Sequence, residues 1–186
     1  MRRKVSLDQY FTKPTDAKKF IGILDEMYPL SNYDYVVEPS AGNGSFFNQL
    51  PDNKIGLDLE PLSPGIVKCD FFEYEPPAFS KIAVIGNPPF GRRGSVAKKF
   101  INRCSEFADV IAFILPAIFS KPSFYRFMSK HFHLEYEEFV DEFVDPNGQE
   151  FQVNCVFQIW KIHDYERIDH NSDKHHIDFE LILTLH

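Results

Sequence analysis

The segment Val84–Gly91 (Val-Ile-Gly-Asn-Pro-Pro-Phe-Gly) holds the residue types best suited to chemistry. The apolar run before it predicts a buried strand. Two consecutive prolines, which have no N–H to donate, predict that this strand stops at Gly86. The Asn87 side-chain oxygen and a proline carbonyl are two hydrogen-bond acceptors, and the Phe90 ring beside them is a stacking platform. This set suits a planar group with an exocyclic –NH2, such as adenine, although the same residues could form a plain tight turn.

A glycine turn follows the predicted strand Tyr35–Glu38, where the chain reads Pro39-Ser-Ala-Gly-Asn-Gly44. A strand, a glycine turn and a helix start are typical of a cofactor-binding turn, because glycines let the backbone approach a ligand closely. The Gly-x-Gly-x-x-Gly and Gly-Lys-Ser/Thr patterns are absent from the sequence, which favours a nucleoside-type ligand without a polyphosphate. A plain turn between strand and helix remains the alternative.

Two acids stand at the ends of the next predicted strands. Asp58 comes about 15 residues after the glycine turn, in the range expected for a carboxylate that accepts ribose hydroxyls, and Leu59 could lie against an adenine face. Asp70 follows a short strand and could accept a hydrogen bond from an amino group of a cofactor. For each acid taken singly, a solvated side chain is the commoner case.

Composition limits the class of protein. The chain has 186 residues, 44% of them hydrophobic, which fits one domain with a substantial core. No apolar run is long enough to span a bilayer and no signal peptide is visible, so we expect a cytoplasmic or nuclear protein without a membrane partner. Three widely spaced cysteines predict core positions in a reducing setting, and the histidine spacing predicts no metal site.

Charge is distributed unevenly along a chain whose formal net charge is −7. Residues 135–150 hold seven acids. Residues 91–105 hold no acid and begin directly after the Asn-Pro-Pro-Phe loop; their cations are Arg92, Arg93, Lys98, Lys99 and Arg103. Positive charge at this place could bind nucleic-acid phosphates. An ordinary solvated helix face is the alternative.

Strands that alternate with helices predict an α/β fold. The predicted strands are residues 35–38, 54–59, 66–68, 81–85, 109–115, 134–144 and 152–162, with the last two as a hairpin. The predicted helices are residues 17–28 (capped by Asp16), 45–50, 95–107 and 122–130. Residues 163–176 read as a polar linker, and residues 177–185 as an edge strand or a partner contact.

Taken together, the motifs resemble those of the S-adenosylmethionine-dependent amino-methyltransferases with an Asn-Pro-Pro-Phe motif, over residues 8–162. Gln9–Pro14 is similar to the family's lead-in, Glu38–Gly44 to its glycine motif, and Asn87–Phe90 to its catalytic motif. The resemblance implies a Rossmann-like methyltransferase fold with a mostly parallel seven-stranded sheet, a C-terminal antiparallel hairpin and helices on both faces. It also implies a domain at 1–162, followed by a linker and a short segment at 163–186.

The resemblance implies roles for particular residues. The catalytic residues are Asn87, Pro88, Pro89 and Phe90. The residues that bind S-adenosylmethionine are Tyr10, Thr12, Glu38, Pro39, Ser40, Ala41, Gly42, Gly44, Asp58, Leu59, Asp70, Phe71 and Asn87. The residues that bind substrate are Phe90, Arg92, Arg93, Lys98 and Phe151, although a core role for Phe151 is at least as common. In duplex DNA the target base must first leave the stack.

The implied reaction is methylation of the N6 amine of adenine in nucleic acid, with DNA slightly ahead of RNA. DNA-adenine members of the family usually carry a target-recognition domain, whereas few residues here follow the last core strand. We therefore expect recognition that is short, absent or supplied by a protein partner. Three alternatives stay open: an RNA adenine or guanine amine (in rRNA, tRNA or an mRNA cap), a protein glutamine, or an inactive cofactor-binding subunit. The intact motif at residues 87–90 argues against the last.

Overall fold

The computed structural model describes residues 11–144 and 149–168, and of Phe151 only the backbone. Two α-helices lie within this part of the chain, α1 (Pro14–Met27) and α2 (Ser95–Cys104). The strands there are β1 (Tyr35–Glu38), β2 (Lys54–Asp58), β3 (Val67–Lys68), β4 (Ile82–Gly86), β5 (Val110–Pro116), β6 (Phe132–Val144) and β7 (Glu150–Ile162).

These strands form one sheet in the order β3-β2-β1-β4-β5-β7-β6. The first five strands of this order pair in parallel, and β7 pairs antiparallel with both β5 and β6. The predicted fold class, a mostly parallel seven-stranded sheet with a C-terminal antiparallel hairpin, is therefore confirmed. The chain order reverses between β1 and β4, and their carboxyl ends flank the crevice where open α/β sheets bind ligands.

One helix covers each face of the sheet. On the α1 face, Phe20 and Leu24 pack among alternate strand residues such as Val36 and Ile85, and Phe20 stacks on Phe157 with ring centroids 4.2 Å apart. The intervening strand residues point to the opposite face of the sheet. There they form a second core cluster with the buried side chains of α2. Strands buried on both faces explain the continuous apolar runs of β4 and β5.

Four predicted helical segments differ from the structure. Residues 45–50 form only a 3-10 turn at Phe47–Gln49, because the stretch between the positive-φ Gly44 and Pro51 is too short for a stable α-helix. Residues 122–130 form a 3-10 turn at Pro122–Phe127. α1 begins at Pro14 rather than Ala17 and has no side-chain cap, so the predicted Asp16 cap is wrong. α2 ends three residues before the predicted Phe107.

The long β6–β7 hairpin carries most of the acidic run, and basic residues near the start of the chain neutralise part of it. Lys13 pairs with both Glu142 and Glu150 at 2.7 Å, and Lys19 pairs with Glu138. Lys13 donates hydrogen bonds to Glu142 and Glu150, and these bonds raise the pKa of Lys13. The hairpin is thereby attached to the lead-in before α1.

The residues directly after β7 also contact the domain. The Arg167 guanidinium donates hydrogen bonds to four main-chain carbonyl oxygens in the connection between β5 and β6, those of Tyr125, Met128, Ser129 and Phe132. Arg167 also lies over the Trp160 ring, 5.7 Å from its centroid. Of these carbonyls, only that of Tyr125 would be needed within a longer helix at 122–130, since the last four carbonyls of a helix have no intrahelical partner. Residues 169–186, where the end of the predicted linker and a further strand or partner contact were expected, lie outside the described residues.

Among the described residues no helix combines the length and the apolar character that crossing a membrane requires. The thiols Cys69, Cys104 and Cys155 are free, and the last two are buried in the core as predicted.

Candidate active site

The predicted site residues meet at the carboxyl ends of β1, β2 and β4. Parallel pairing sets Glu38 beside Gly56 of β2, and Val37 beside Val84 of β4. The glycine turn leaves β1 and the Asn-Pro-Pro-Phe loop leaves β4 at the same edge. The structure therefore brings together motifs that lie almost 50 residues apart in the chain.

Asp58 holds the glycine turn in place. Its Oδ2 accepts a hydrogen bond from the Gly42 N–H at 2.7 Å, and its Oδ1 accepts one from the Glu60 N–H at 2.8 Å. Gly42 has φ +47°, a conformation that side-chain-bearing residues adopt at a cost. Each carboxylate oxygen has a second lone pair for a ligand hydroxyl. Asp58 thus has both a structural role and the geometry for the predicted ribose contact.

Glu38 is a buried carboxyl at the centre of the crevice, with 2% of its surface exposed. The Phe47 N–H donates to it, while its Oε2 has no hydrogen-bond partner among the described residues. Burial, and secondarily the charge of Asp58, raise the pKa of Glu38 well above its ordinary value. A Cβ atom at Gly86 would lie 3.2 Å from the Glu38 Cγ, so glycine permits this close approach of β4.

Two hydrogen bonds connect Asn87 to the other motifs. The Ser40 hydroxyl donates to the Asn87 main-chain carbonyl at 3.3 Å, which joins the glycine turn to the Asn-Pro-Pro-Phe loop. The Asn87 side-chain Nδ2 donates to the Thr12 hydroxyl, also at 3.3 Å, and Thr12 is buried. With Nδ2 directed to the lead-in, the amide oxygen is the end of Asn87 that suits an incoming amine.

Phe11 is a site residue that the sequence did not single out. Its backbone pairs with Val144 at the end of β6 through two hydrogen bonds of 2.9 and 3.1 Å. Its ring lies against the glycine turn, 3.1 Å from where a Cβ of Gly42 would stand. The lead-in thus lies against the glycine turn while it is paired with the hairpin. No local pattern signals such a contact; only the position of Phe11 next to Thr12 could have suggested it.

The two predicted adenine-site residues on the β3 side have different environments. Asp70 is half-buried and caps a 3-10 turn by accepting from the Phe72 N–H at 2.9 Å. The Phe71 side chain is buried and stacks on Phe100 with centroids 5.0 Å apart. A ligand contact by Phe71 would therefore use its backbone. Leu59 is 62% exposed beside Asp58, where an apolar ligand face could cover it.

The Asn-Pro-Pro-Phe loop is followed by a short turn at Arg92–Gly94 and then by α2. The Phe90 carbonyl accepts from the N–H groups of Val96 and Ala97 at 3.1 and 3.3 Å, which satisfies donors of the first turn of the helix. The half-buried Phe90 ring packs against the α1-side core, and Pro88 is buried. The loop is consequently anchored at both of its ends.

The predicted substrate cations divide into two kinds. Arg92 and Arg93 are exposed at the start of α2. Lys98 is half-buried, and its ammonium lies 4.0 Å from the Phe127 ring centroid and 4.9 Å from that of Phe124. Tyr10 and the Phe151 side chain lie outside the described residues. Within the described ranges, no group of three or more His, Cys, Asp or Glu side chains could hold a metal ion.

Comparisons with known proteins give structural matches only. No protein-family model matches the sequence, and no curated protein is similar to it by sequence. Among solved structures, a proposed RNA methyltransferase from Pyrococcus horikoshii is 19% identical, with a TM-score of 0.66, over 87% of this chain and 91% of the other. A Thermoplasma acidophilum protein is 17% identical, with a TM-score of 0.61, over 81% of this chain and 90% of the other.

A third structure is a proposed class I S-adenosylmethionine-dependent methyltransferase from Listeria monocytogenes. It is 13% identical, with a TM-score of 0.59, over 90% of this chain and 65% of the other. The chain has the Rossmann-like methyltransferase fold. At these identities the likeness concerns the fold. The reaction that the protein catalyses depends on the residues of its site.

Proposed function

We propose that this chain uses S-adenosylmethionine to methylate the exocyclic N6 amine of adenine in nucleic acid. The observation that carries the proposal is the hydrogen bond from Ser40 to the Asn87 carbonyl. It joins the turn suited to a nucleoside-type cofactor with the loop suited to a planar amine. Methyl transfer requires these two groups to be close together and in a defined orientation.

The residues of the crevice fit the cofactor. Asp58 has lone pairs for ribose hydroxyls, and the exposed Leu59 can cover one face of the adenine. The unpartnered Oε2 of the buried Glu38 is a carboxylate oxygen suited to the cofactor's ammonium group. A buried carboxylate is favourable only when a charged partner compensates it. A ligand with ribose at one end and an ammonium at the other satisfies both acids.

The catalytic loop would prepare the substrate amine. An exocyclic amine of a base is a poor nucleophile, because its lone pair is delocalised into the ring. The Asn87 side-chain oxygen and the Pro88 carbonyl would each accept a hydrogen bond from one N–H of the amine. These two hydrogen bonds would draw the nitrogen toward tetrahedral geometry. Phe90 would hold the base by stacking. When bound, S-adenosylmethionine supplies a sulfonium methyl group, so orientation and electrostatics account for the rate.

Either DNA or RNA could present the adenine. The sequence motifs place DNA slightly ahead, whereas one structural neighbour is described as a proposed RNA methyltransferase. RNA adenines in loops and single strands are accessible without opening a duplex. A guanine amine or a protein glutamine amide would use the same pair of acceptors, so the test must identify the product as well as the polymer.

The test is transfer of labelled methyl groups from S-adenosylmethionine to duplex DNA, single-stranded DNA, RNA and protein in parallel, followed by mass spectrometry of the labelled product. We expect N6-methyladenine in one of the nucleic-acid pools, and no label with Asn87→Ala. A labelled guanine or glutamine would replace the adenine assignment. Cofactor binding without transfer to any pool would contradict the proposed activity and favour the inactive-subunit alternative.

A further inference from the structure

Six cations that follow the Asn-Pro-Pro-Phe loop in the sequence have no acidic partner among the described residues. The ion pairs found there use Lys13, Lys19, Arg103, Lys130 and His163. None of them involves Arg92, Arg93, Lys98, Lys99, Lys121 or Arg126. The whole segment 86–131 has eight Lys and Arg residues but only two acids, in a chain whose net charge is −7. Because the rest of the chain carries a net negative charge, the positive charge is concentrated in this segment.

Packing places the two halves of this segment side by side. A Cβ at Gly94 would stand 2.7 Å from the Phe119 ring, so the start of α2 touches the turn after β5. One turn further along α2, Lys98 lies over the Phe124 and Phe127 rings. Arg126 in turn lies 5.1 Å from the Phe127 centroid. Lys98 therefore holds the two halves together, while the exposed Arg92, Arg93, Lys99, Lys121 and Arg126 remain available to a ligand.

A groove continues from these cations between α2 and residues 126–130. Its volume is about 470 Å³, and its polar lining includes Asn102 of α2, Ser105 directly after α2, and Arg126, Ser129 and Lys130 on the opposite side. Asn102 and Ser105 follow Lys98 at the four- and seven-residue spacing of one helix face. Glu106 also lines the groove, but Arg103 neutralises it. Since α2 has 10 residues, the path from the catalytic loop is roughly 15 Å long.

We propose that this surface, defined by Arg92, Arg93, Lys99, Lys121, Arg126 and the groove beyond them, binds the sugar–phosphate backbone of a single-stranded segment of the substrate nucleic acid. The inference rests on the proposed function and adds Lys121 and Arg126, which the sequence did not indicate. Exposed cations beside an open groove with polar side chains in its lining can bind the backbone of one strand, as in other proteins that bind single strands. A single strand also presents its adenine to Asn87 without base-pair opening.

The experiment measures binding of labelled, adenine-containing 12-mers, as single strands and as duplex DNA, at several salt concentrations and without S-adenosylmethionine. The double variant Lys121→Gln/Arg126→Gln is compared with Lys18→Gln/Lys68→Gln, which removes two exposed cations from α1 and β3. Loss of two phosphate contacts lowers the slope of log K against log salt by about 1.4 for a single strand. We expect this decrease in the first double variant only. A comparison of RNA and DNA 12-mers shows whether the sugar affects binding.

Three outcomes would overturn the inference: equal slopes in the two double variants, no binding by the wild type, or a difference confined to duplex DNA. Thermal unfolding of both variants checks that the fold is intact. Because neither changed residue lies in the catalytic loop and binding is measured without cofactor, the result is independent of methyl transfer. A normal slope decrease with no methylation would leave the surface in place and count against the proposed activity alone.

Discussion

The side-chain amide of Asn87 donates a hydrogen bond to the hydroxyl of Thr12, 75 residues earlier in the chain. Thr12 is 3% exposed, and its neighbour Phe11 is paired with the end of β6. This contact sets which end of the Asn87 amide faces the lead-in. The lead-in thus helps to hold the Asn-Pro-Pro-Phe loop in place, and in the proposed reaction Thr12 would act as a positioning residue.

Replacement of Thr12 by valine tests this role. Thr12→Val keeps the shape of the buried side chain but removes the acceptor, which typically costs about 1 kcal/mol, or roughly fivefold. We expect the loss in kcat rather than in KM, because Asn87 would be less well oriented in the reacting complex. Thr12→Ser keeps the hydroxyl and should restore most of the rate. Equal rates for the valine and serine variants would contradict a positioning role.

Asn87→Ala removes the acceptor proposed for the substrate amine. We expect transfer to fall by about 100-fold or more, as for the loss of one preorganised transition-state contact. Affinity for S-adenosylmethionine should stay nearly the same, since the main-chain carbonyl that binds Ser40 is retained. Single-turnover kinetics and calorimetry measure the two quantities. Wild-type-like turnover would exclude Asn87 from the proposed mechanism.

The buried carboxyl of Glu38 makes stability depend on pH. Its pKa is raised in the folded state, so between the ordinary value near 4.5 and the raised value the folded protein holds a proton that the unfolded chain releases. The free energy of unfolding of the cofactor-free protein should therefore fall as pH rises through this window. Glu38→Gln should remove that fall, and above the window it should be more stable than the wild type, because a neutral amide has no charge to bury.

The same variant should bind S-adenosylmethionine more weakly, because an amide has no charge to offer the ammonium group. Denaturant unfolding from pH 5 to 9 and calorimetry at pH 8 measure the two effects. The exposed Glu26→Gln is the control for a general loss of one negative charge. If the free energy of unfolding varied with pH in the same way for Glu38→Gln and the wild type, burial would not disfavour the ionised form of Glu38.

Asp58→Ala should weaken cofactor binding by about 10- to 100-fold, because hydrogen bonds to a charged group typically contribute about 1.5–3 kcal/mol. The change also leaves the Gly42 and Glu60 N–H groups without their acceptor. Asp58→Asn keeps one acceptor oxygen and should lie between alanine and wild type. Calorimetry with S-adenosylmethionine gives the affinities, and unaltered binding by the alanine variant would remove Asp58 from the site.

Two glycines offer a matched test of the turn. Gly42→Ala forces a side chain into a positive-φ conformation and against the Phe11 ring, which should cost about 1–2 kcal/mol of stability and reduce cofactor affinity. Gly22 is exposed in α1 and has open space around its Cβ position, so Gly22→Ala should stabilise by about 0.5–1 kcal/mol. Opposite shifts in Tm are expected, and a shift of the same sign would contradict the strain assigned to Gly42.

Much of the fold could be predicted from local patterns. β1 has the predicted boundaries, and β2, β4 and β5 lie within one residue of theirs, because short apolar runs between turn residues specify buried strands. The helical predictions at 45–50 and 122–130 failed. Helix formation needs several turns before hydrogen bonds outweigh the entropy of ordering, and both stretches are short.

By itself the sequence determined which residues end each strand, and thus which of them stand at the ligand-binding edge of the sheet. Asp58 and Asn87 belong to this group, since strand ends depend on nearby residues. The tertiary structure alone decided the partners of those residues: Thr12 for Asn87, Phe11 for Gly42, and the Phe124 and Phe127 rings for Lys98. Such pairs depend on how distant segments pack after loop closure, and no pattern of neighbouring residues contains that information.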